Sequence, residues 1–156
     1  LRPHRSQGEG SVATALSHVG VCVSDLAAST RFYCDALGFE QAESYEVGDE
    51  FATLMELGGS ATVASQFLRR EGLAIELLHF AEPTADGDRT RRPMNRFGLT
   101  HLCFDVDDVE AVAAAVAAAG GTVHEHTRTT LADGVLDFVY CSDPDGTRLE
   151  LMKVPA

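Results

Sequence analysis

Lysine is almost missing from this chain: Lys153 is the one lysine among 12 basic residues, set against 24 acidic ones for a formal net charge of −12 over 156 residues. A nucleic-acid binder needs a basic stripe that releases counterions from phosphates, and an anionic membrane surface asks for the same; both are excluded as expected partners. A local basic pocket for a small anion is still compatible with an acidic whole. Long apolar runs are also absent. Nothing approaches the ~18 residues of a membrane span or the core of a signal peptide, so a cytoplasmic protein is expected. The four cysteines form no Cys-x-x-Cys pair and no zinc-ribbon spacing. They read as small buried hydrophobes in a reducing compartment. What is present is ordinary for a folded domain: 45% hydrophobic and 23% charged residues, too apolar for disorder.

The chain repeats itself. L16-S-H-V-G-V-C-V-S-D-L26 aligns with L99-T-H-L-C-F-D-V-D-D-V109, placing His18 on His101, Val23 on Val106 and Asp25 on Asp108. A helix-like stretch follows in each copy and ends at Gly38 and at Gly120-Gly121. Each copy closes on a Glu between aliphatics, A74-I-E-L-L78 and R148-L-E-L-M152. The first copy is longer between its His and its Glu, which places an insertion around residues 60 to 72. The pattern within each copy is strand, helix, then three strands. In the first copy the strands fall near 16–23, 39–46, 50–58 and 73–80, with a helix capped by Ser24 or Asp25 that carries Leu26, Phe32, Tyr33 and Leu37 and stops at Gly38. In the second they fall near 98–106, 122–127, 135–141 and 147–153, with an alanine-rich helix over 108–119. D143-P-D-G146 is a turn sequence. Residues 1–14 read as a flexible tail, 15–80 and 98–154 as the two modules, and 81–97 as their linker.

Each copy thus offers a His on its first strand and a Glu on its last: His18, Glu76, His101 and Glu150. A carboxylate flanked by Ile75 and Leu77, or by Leu149 and Leu151, is costly if it faces a core without a partner. Two imidazoles and two carboxylates suit a divalent first-row ion, and four protein ligands leave an octahedral ion two open positions.

The segments H18-V-G-V-C-V-S-D-L26 with F32-Y33, I75-E-L77, H101-L-C-F-D-V-D-D-V109 and D143-P-D-G-T-R-L-E-L151 resemble the vicinal oxygen chelate superfamily. That group includes glyoxalase I, methylmalonyl-CoA epimerase, extradiol dioxygenases and the fosfomycin and bleomycin resistance proteins. The resemblance covers residues 15 to 154. It implies an α+β fold of two tandem βαβββ modules, forming a curved mixed sheet around a central metal cavity. It places one divalent ion (Ni, Co, Mn, Zn or Fe) at His18, Glu76, His101 and Glu150.

A Glu at position 76 leans toward the four-ligand branch of glyoxalase I and the epimerase. The resemblance then implies a lyase or isomerase that abstracts a proton next to a carbonyl through a metal-chelated enediolate, with Glu150 as ligand and base. The glutathione contacts of glyoxalase I fall on Cys22, Phe80 and Phe97, which cannot pair with a carboxylate or fix an amine. Glutathione dependence is therefore not expected. A separate epimerase-type base would fall among Glu46, Asp49 and Glu50, which read more simply as a solvated hairpin tip. Two alternatives stand: an Fe(II) extradiol-type dioxygenase, and a non-catalytic small-molecule binder. Residues 89–96 (RTRRPMNR) gather Arg89, Arg91, Arg92 and Arg96. Arg91, Arg92 and Arg96 could contact an anionic group of a carbonyl or carboxylate substrate, against the simpler reading of a solvated linker. His79, His124 and His126 read as structural or exposed. A homodimer is expected, with the site inside one chain or shared across the pair.

Overall fold

A computed structural model describes residues 13, 15–131 and 136–153. Strand β1 (Val19–Cys22) leads into helix α1 (Leu26–Leu37). Asp25 caps that helix by accepting from the Ala28 amide at 2.9 Å. Gly38 ends it at φ 70°, a left-handed C-cap that costs glycine no Cβ clash. Strands β2 (Glu40–Val47), β3 (Thr62–Arg70) and β4 (Leu73–Glu82) complete the first copy. The second runs β5 (Leu102–Asp105), α2 (Val109–Ala118), β6 (Thr122–Val123), β7 (Thr129–Leu131), β8 (Leu136–Ser142) and β9 (Arg148–Lys153). Asp108 repeats the cap of Asp25, accepting from the Ala111 amide at 3.0 Å.

The strands form two sheets, ordered β1-β4-β3-β2 and β5-β9-β8-β6, with β7 also paired to β8. In each sheet the first strand lies parallel to the last, and the other pairings are antiparallel. The fold is α+β, and the two curved sheets are not closed into one. Strand alternation separates two faces. Ile75, Leu77, Leu149 and Leu151 are fully buried in one core with Phe32, Tyr33, Leu37, Val109 and Val116 of the helices. Each such side chain contributes roughly 1.5–3 kcal/mol. Glu76 and Glu150 therefore point to the opposite, open face.

The helices and outer strands fall where the periodicity places them, but three expectations need correction. Residues 50–58 are not a strand; Asp49–Phe51 is a 3-10 turn and further turns follow. The third strand is instead β3, inside the stretch read as an insertion, and the extra length of the first copy lies before it, in the longer β2 and the 48–61 connection. Asp49 Oδ1 holds that connection by accepting from the Ala61 amide at 2.8 Å. The first strands are shorter than expected, so His18 and His101 immediately precede them. Residues 125–127 are a 3-10 turn rather than strand. The expected tail, apart from Ala13, lies outside the described residues. No helix among the described residues is long and apolar enough to cross a membrane.

The two copies are tied at the D143-P-D-G146 turn. Tyr33 Oη of α1 donates to Asp143 Oδ2 at 3.0 Å. Asp143 Oδ1 also accepts from the Asp145 and Thr147 amides. Ser24 donates its amide and hydroxyl to Asp145 at 2.9 and 2.6 Å.

Candidate metal centre

Register places the site residues two by two. On the first sheet Gly20, Glu76 and Phe67 lie across neighbouring strands β1, β4 and β3. On the second, Cys103, Glu150 and Tyr140 take the same places across β5, β9 and β8. His18 Nε2 lies 3.3 Å from Glu76 Oε2, and His101 Nε2 lies 2.9 Å from Glu150 Oε2. Each imidazole is held at its other nitrogen by the preceding hydroxyl: Ser17 Oγ at 3.1 Å from His18 Nδ1, Thr100 Oγ1 at 3.0 Å from His101 Nδ1. Each meets an aromatic edge-on, His18 with Phe67 at 5.3 Å and His101 with Tyr140 at 5.5 Å between ring centres. Hydroxyl, histidine, glutamate and aromatic thus recur as a unit.

Such a unit fits a divalent ion. A hydroxyl on Nδ1 leaves Nε2 aimed at the site, the arrangement that orients metal-binding imidazoles. Two ligands each ~2.1 Å from an octahedral ion and at right angles to one another lie ~3.0 Å apart, close to both His–Glu separations. The same separation suits a hydrogen bond, so each pair is held together with or without an ion. The carboxylates are half-buried, with 19% and 15% of the side-chain surface exposed. Ser65 Oγ donates to Glu76 Oε1 at 2.6 Å and leaves Oε2 for His18.

The two pairs do not converge. Among the described residues no group of three or more His, Cys, Asp or Glu comes close enough together to hold a metal. His101 also lines a cavity of about 290 Å³ between β1, β5 and the linker, with Gly20, Cys22, Thr90, Arg92 and Arg148. Of the three arginines considered for anion contact, Arg92 donates to the Phe97 carbonyl at 2.6 Å. Arg96 is exposed. Arg91 is half-buried, and its charge acts on His124, Tyr140 and Arg148.

Glu46 is exposed on β2, while Asp49 and Glu50 bond the backbone of their own connection. His124 Nε2 lies 2.7 Å from Ser142 Oγ. The cysteines are free thiols, but the reading of all four as buried is corrected: Cys141 is buried, Cys34 half-buried, and Cys22 and Cys103 exposed. Alternation puts the last two on the open face. Burial, then the neighbouring Glu150 charge, pushes the Cys103 thiol up to about 11. The residues not foreseen were Ser17, Thr100, Phe67 and Tyr140. The first two align in the repeat and could have been found there; the aromatics needed the register of β3 and β8.

Duplicated units, each with a paired His and Glu on a curved sheet, define a two-module α+β fold. The profile of the Glyoxalase/Bleomycin resistance protein/Dioxygenase superfamily matches residues 15–151, and the chain belongs to that family. It is 33% identical over 140 residues to the uncharacterized protein YaeR of Escherichia coli K12, covering 87% of this chain and 93% of that one. It is 25% identical to a lactoylglutathione lyase of Schizosaccharomyces pombe over 88% of this chain, but spans only 47% of that protein. A glyoxalase family protein from Bacillus cereus superposes with a TM-score of 0.81 at 18% identity, covering 94% and 97% of the two chains. A variant of the fosfomycin resistance protein FosX from Listeria monocytogenes, solved with Mn(II) and 1S,2S-dihydroxypropylphosphonic acid, gives 0.58 at 19% identity, covering 90% of each. At these identities both structures speak to the fold.

Proposed function

We infer that this protein is a metal-dependent lyase or isomerase of the glyoxalase and epimerase type, acting next to a carbonyl, with its centre shared between two copies of the chain. The observation that carries this reading is the recurrence of the hydroxyl–His–Glu unit on both sheets. Each unit supplies two of the four protein ligands, and the two units stand apart within one chain. A two-fold dimer brings the first unit of one copy to the second unit of the other twice over, making two complete sites. The lyase activity named in a relative supports the same class.

A bound divalent ion would supply Lewis-acid stabilisation of negative charge at the substrate oxygens. The chain's part is to hold and move a proton. Glu150 Oε2 is the base that takes the proton from the carbon beside the carbonyl and returns it to the neighbouring carbon. His101, steadied by Thr100, keeps that carboxylate in place. Cys22, Phe80 and Phe97, at the positions that would receive glutathione, offer it no charged partner.

Metal analysis of the purified protein is the first test, with about one Ni, Co, Mn, Zn or Fe expected per chain for two four-ligand sites in a dimer. An anaerobic substrate panel read by solvent-deuterium incorporation next to the carbonyl then tests the reaction. Oxygen consumption instead would select the extradiol alternative, and chelator-insensitive ligand binding without turnover the non-catalytic one. The hemithioacetal of glutathione with a 2-oxoaldehyde belongs in the panel and is expected not to react. Glu150→Gln is expected to abolish turnover and leave the melting temperature unchanged; full activity in that variant sinks the assignment of the base.

A further inference from the structure

The two halves of the centre share a His–Glu pair and differ in what holds the carboxylate. On the first sheet Glu76 Oε1 accepts from Ser65 Oγ at 2.6 Å, while Oε2 faces His18. Ser65 is 3% exposed and sits on an interior strand, paired to Tyr45 on one side and to Leu78 on the other. Its backbone is therefore held by ladders on both flanks, and its hydroxyl is dry. A hydroxyl donating to a carboxylate at this length makes a charge-assisted bond, among the stronger that side chains form. On its face of β3 Ser65 stands between Val63 and Phe67, where a buried hydroxyl is costly unless bonded. Glu76 supplies the acceptor.

The second sheet lacks this clamp. The register that sets Ser65 opposite Leu78, two residues past Glu76, sets Phe138 opposite Met152, two residues past Glu150. A phenyl ring donates nothing to a carboxylate. From β5 the strand neighbour of Glu150 is Cys103, whose thiol is a weak donor compared with a hydroxyl; Gly20 takes that place beside Glu76. His101 meets Glu150 at Oε2, 2.9 Å away. Glu76 is thus held strongly at both oxygens, and Glu150 at one.

We propose that Ser65 is a positioning residue that makes Glu76 the fixed carboxylate of the centre, leaving Glu150 as the one free to turn and carry the proton. A base must change partners during turnover, and a carboxylate clamped at both oxygens does so only by giving up a strong bond. The choice of Glu150 over Glu76 as base thereby gains a cause within this chain. The inference rests on the reading of the centre given above and adds a division of labour between its two carboxylates.

The test begins with full-length protein stripped of metal by EDTA. Ring resonances of His18 and His101, assigned with His18→Gln and His101→Gln, are followed by NMR. Ser65→Ala is expected to shift and broaden the His18 signals and leave those of His101 in place; Ser65→Thr, which keeps the hydroxyl, should restore them. Mn(II) and Co(II) are then titrated separately against a coloured chelator. Ser65→Ala should bind both roughly 10–100-fold more weakly, the range for losing a hydrogen bond that orients a ligand, and Ser65→Thr should recover most of the affinity. Glu76→Gln should weaken binding more than Glu150→Gln does. Thermal melting of the metal-free variants separates loss of fold from loss of positioning. Wild-type metal affinity in a folded Ser65→Ala, or an unmoved His18 ring, overturns the inference. So do equal losses in the two glutamine variants, a comparison that decides the matter even if Ser65→Ala does not fold. Uptake of neither ion by the wild type overturns the centre itself, an outcome distinct from normal uptake that Ser65→Ala leaves unchanged.

Discussion

His18 and His101 each sit between a hydroxyl and a carboxylate, and that surrounding gives the rings their direction. Removing both hydroxyls, in Ser17→Ala with Thr100→Val, should leave the fold intact and lower metal affinity roughly 10–100-fold, measured by competition with a coloured chelator. An unchanged affinity would mean the hydroxyls orient nothing. Asp143 makes a second residue-scale case. Burial pushes its carboxyl up, against the hydrogen bonds from Thr147, Tyr33 and Asp145 that favour the charge. The folded protein therefore holds this proton more tightly than the unfolded chain. The resulting cost is absent below the ordinary carboxylate range, grows through the window up to the raised value, and is complete above it. Asp143→Asn should gain stability relative to the wild type as pH rises through that window, read from urea midpoints across about pH 3 to 7.

At the scale of elements, two glycines show how closely the pieces fit. A Cβ on Gly121 would lie 2.6 Å from both a Phe32 ring carbon and the Ser142 carbonyl oxygen, and 2.8 Å from Val116. Gly121→Ala should cost about 1–3 kcal/mol or more by overpacking, seen as a lower denaturation midpoint. Gly146 has φ +91°, and a Cβ there would strike the Arg89 carbonyl. Gly146→Ala should lose comparable stability and loosen the linker as well, detectable as faster amide exchange over residues 88–92. The helices were legible because caps and periodicity agreed at Asp25, Gly38 and Asp108. Strand β3 was not. Its buried residues Val63, Ser65 and Leu68 keep no single alternation, and one of them is polar. Residues 50–58, richer in apolar side chains, looked more like a strand and form turns.

For the whole molecule, the central prediction concerns a centre shared between chains. Glu76→Gln and Glu150→Gln should each be inactive alone. When the two are co-expressed, mixed dimers contain one intact site, so activity should return to about one quarter of the wild-type value, since about half the dimers are mixed and one of their two sites is whole. No recovery would place both units of each working site in one chain.

What the sequence determined by itself was local and repeated: two units, their helix caps, and a His and a Glu in each. Those follow from short-range chemistry and from a duplication that can be read by alignment. Which residues stand beside the pairs was decided by tertiary structure, because pairing across strands brings Phe67 to Glu76 and Tyr140 to Glu150 from nine and ten residues away. The separation of the two pairs depends on how sheets, helices and linker pack. The scarcity of basic residues and their concentration in residues 89–96 are legible in the sequence, but that Arg148 ties this linker to the second sheet through the Arg92 carbonyl appears only once the chain is folded.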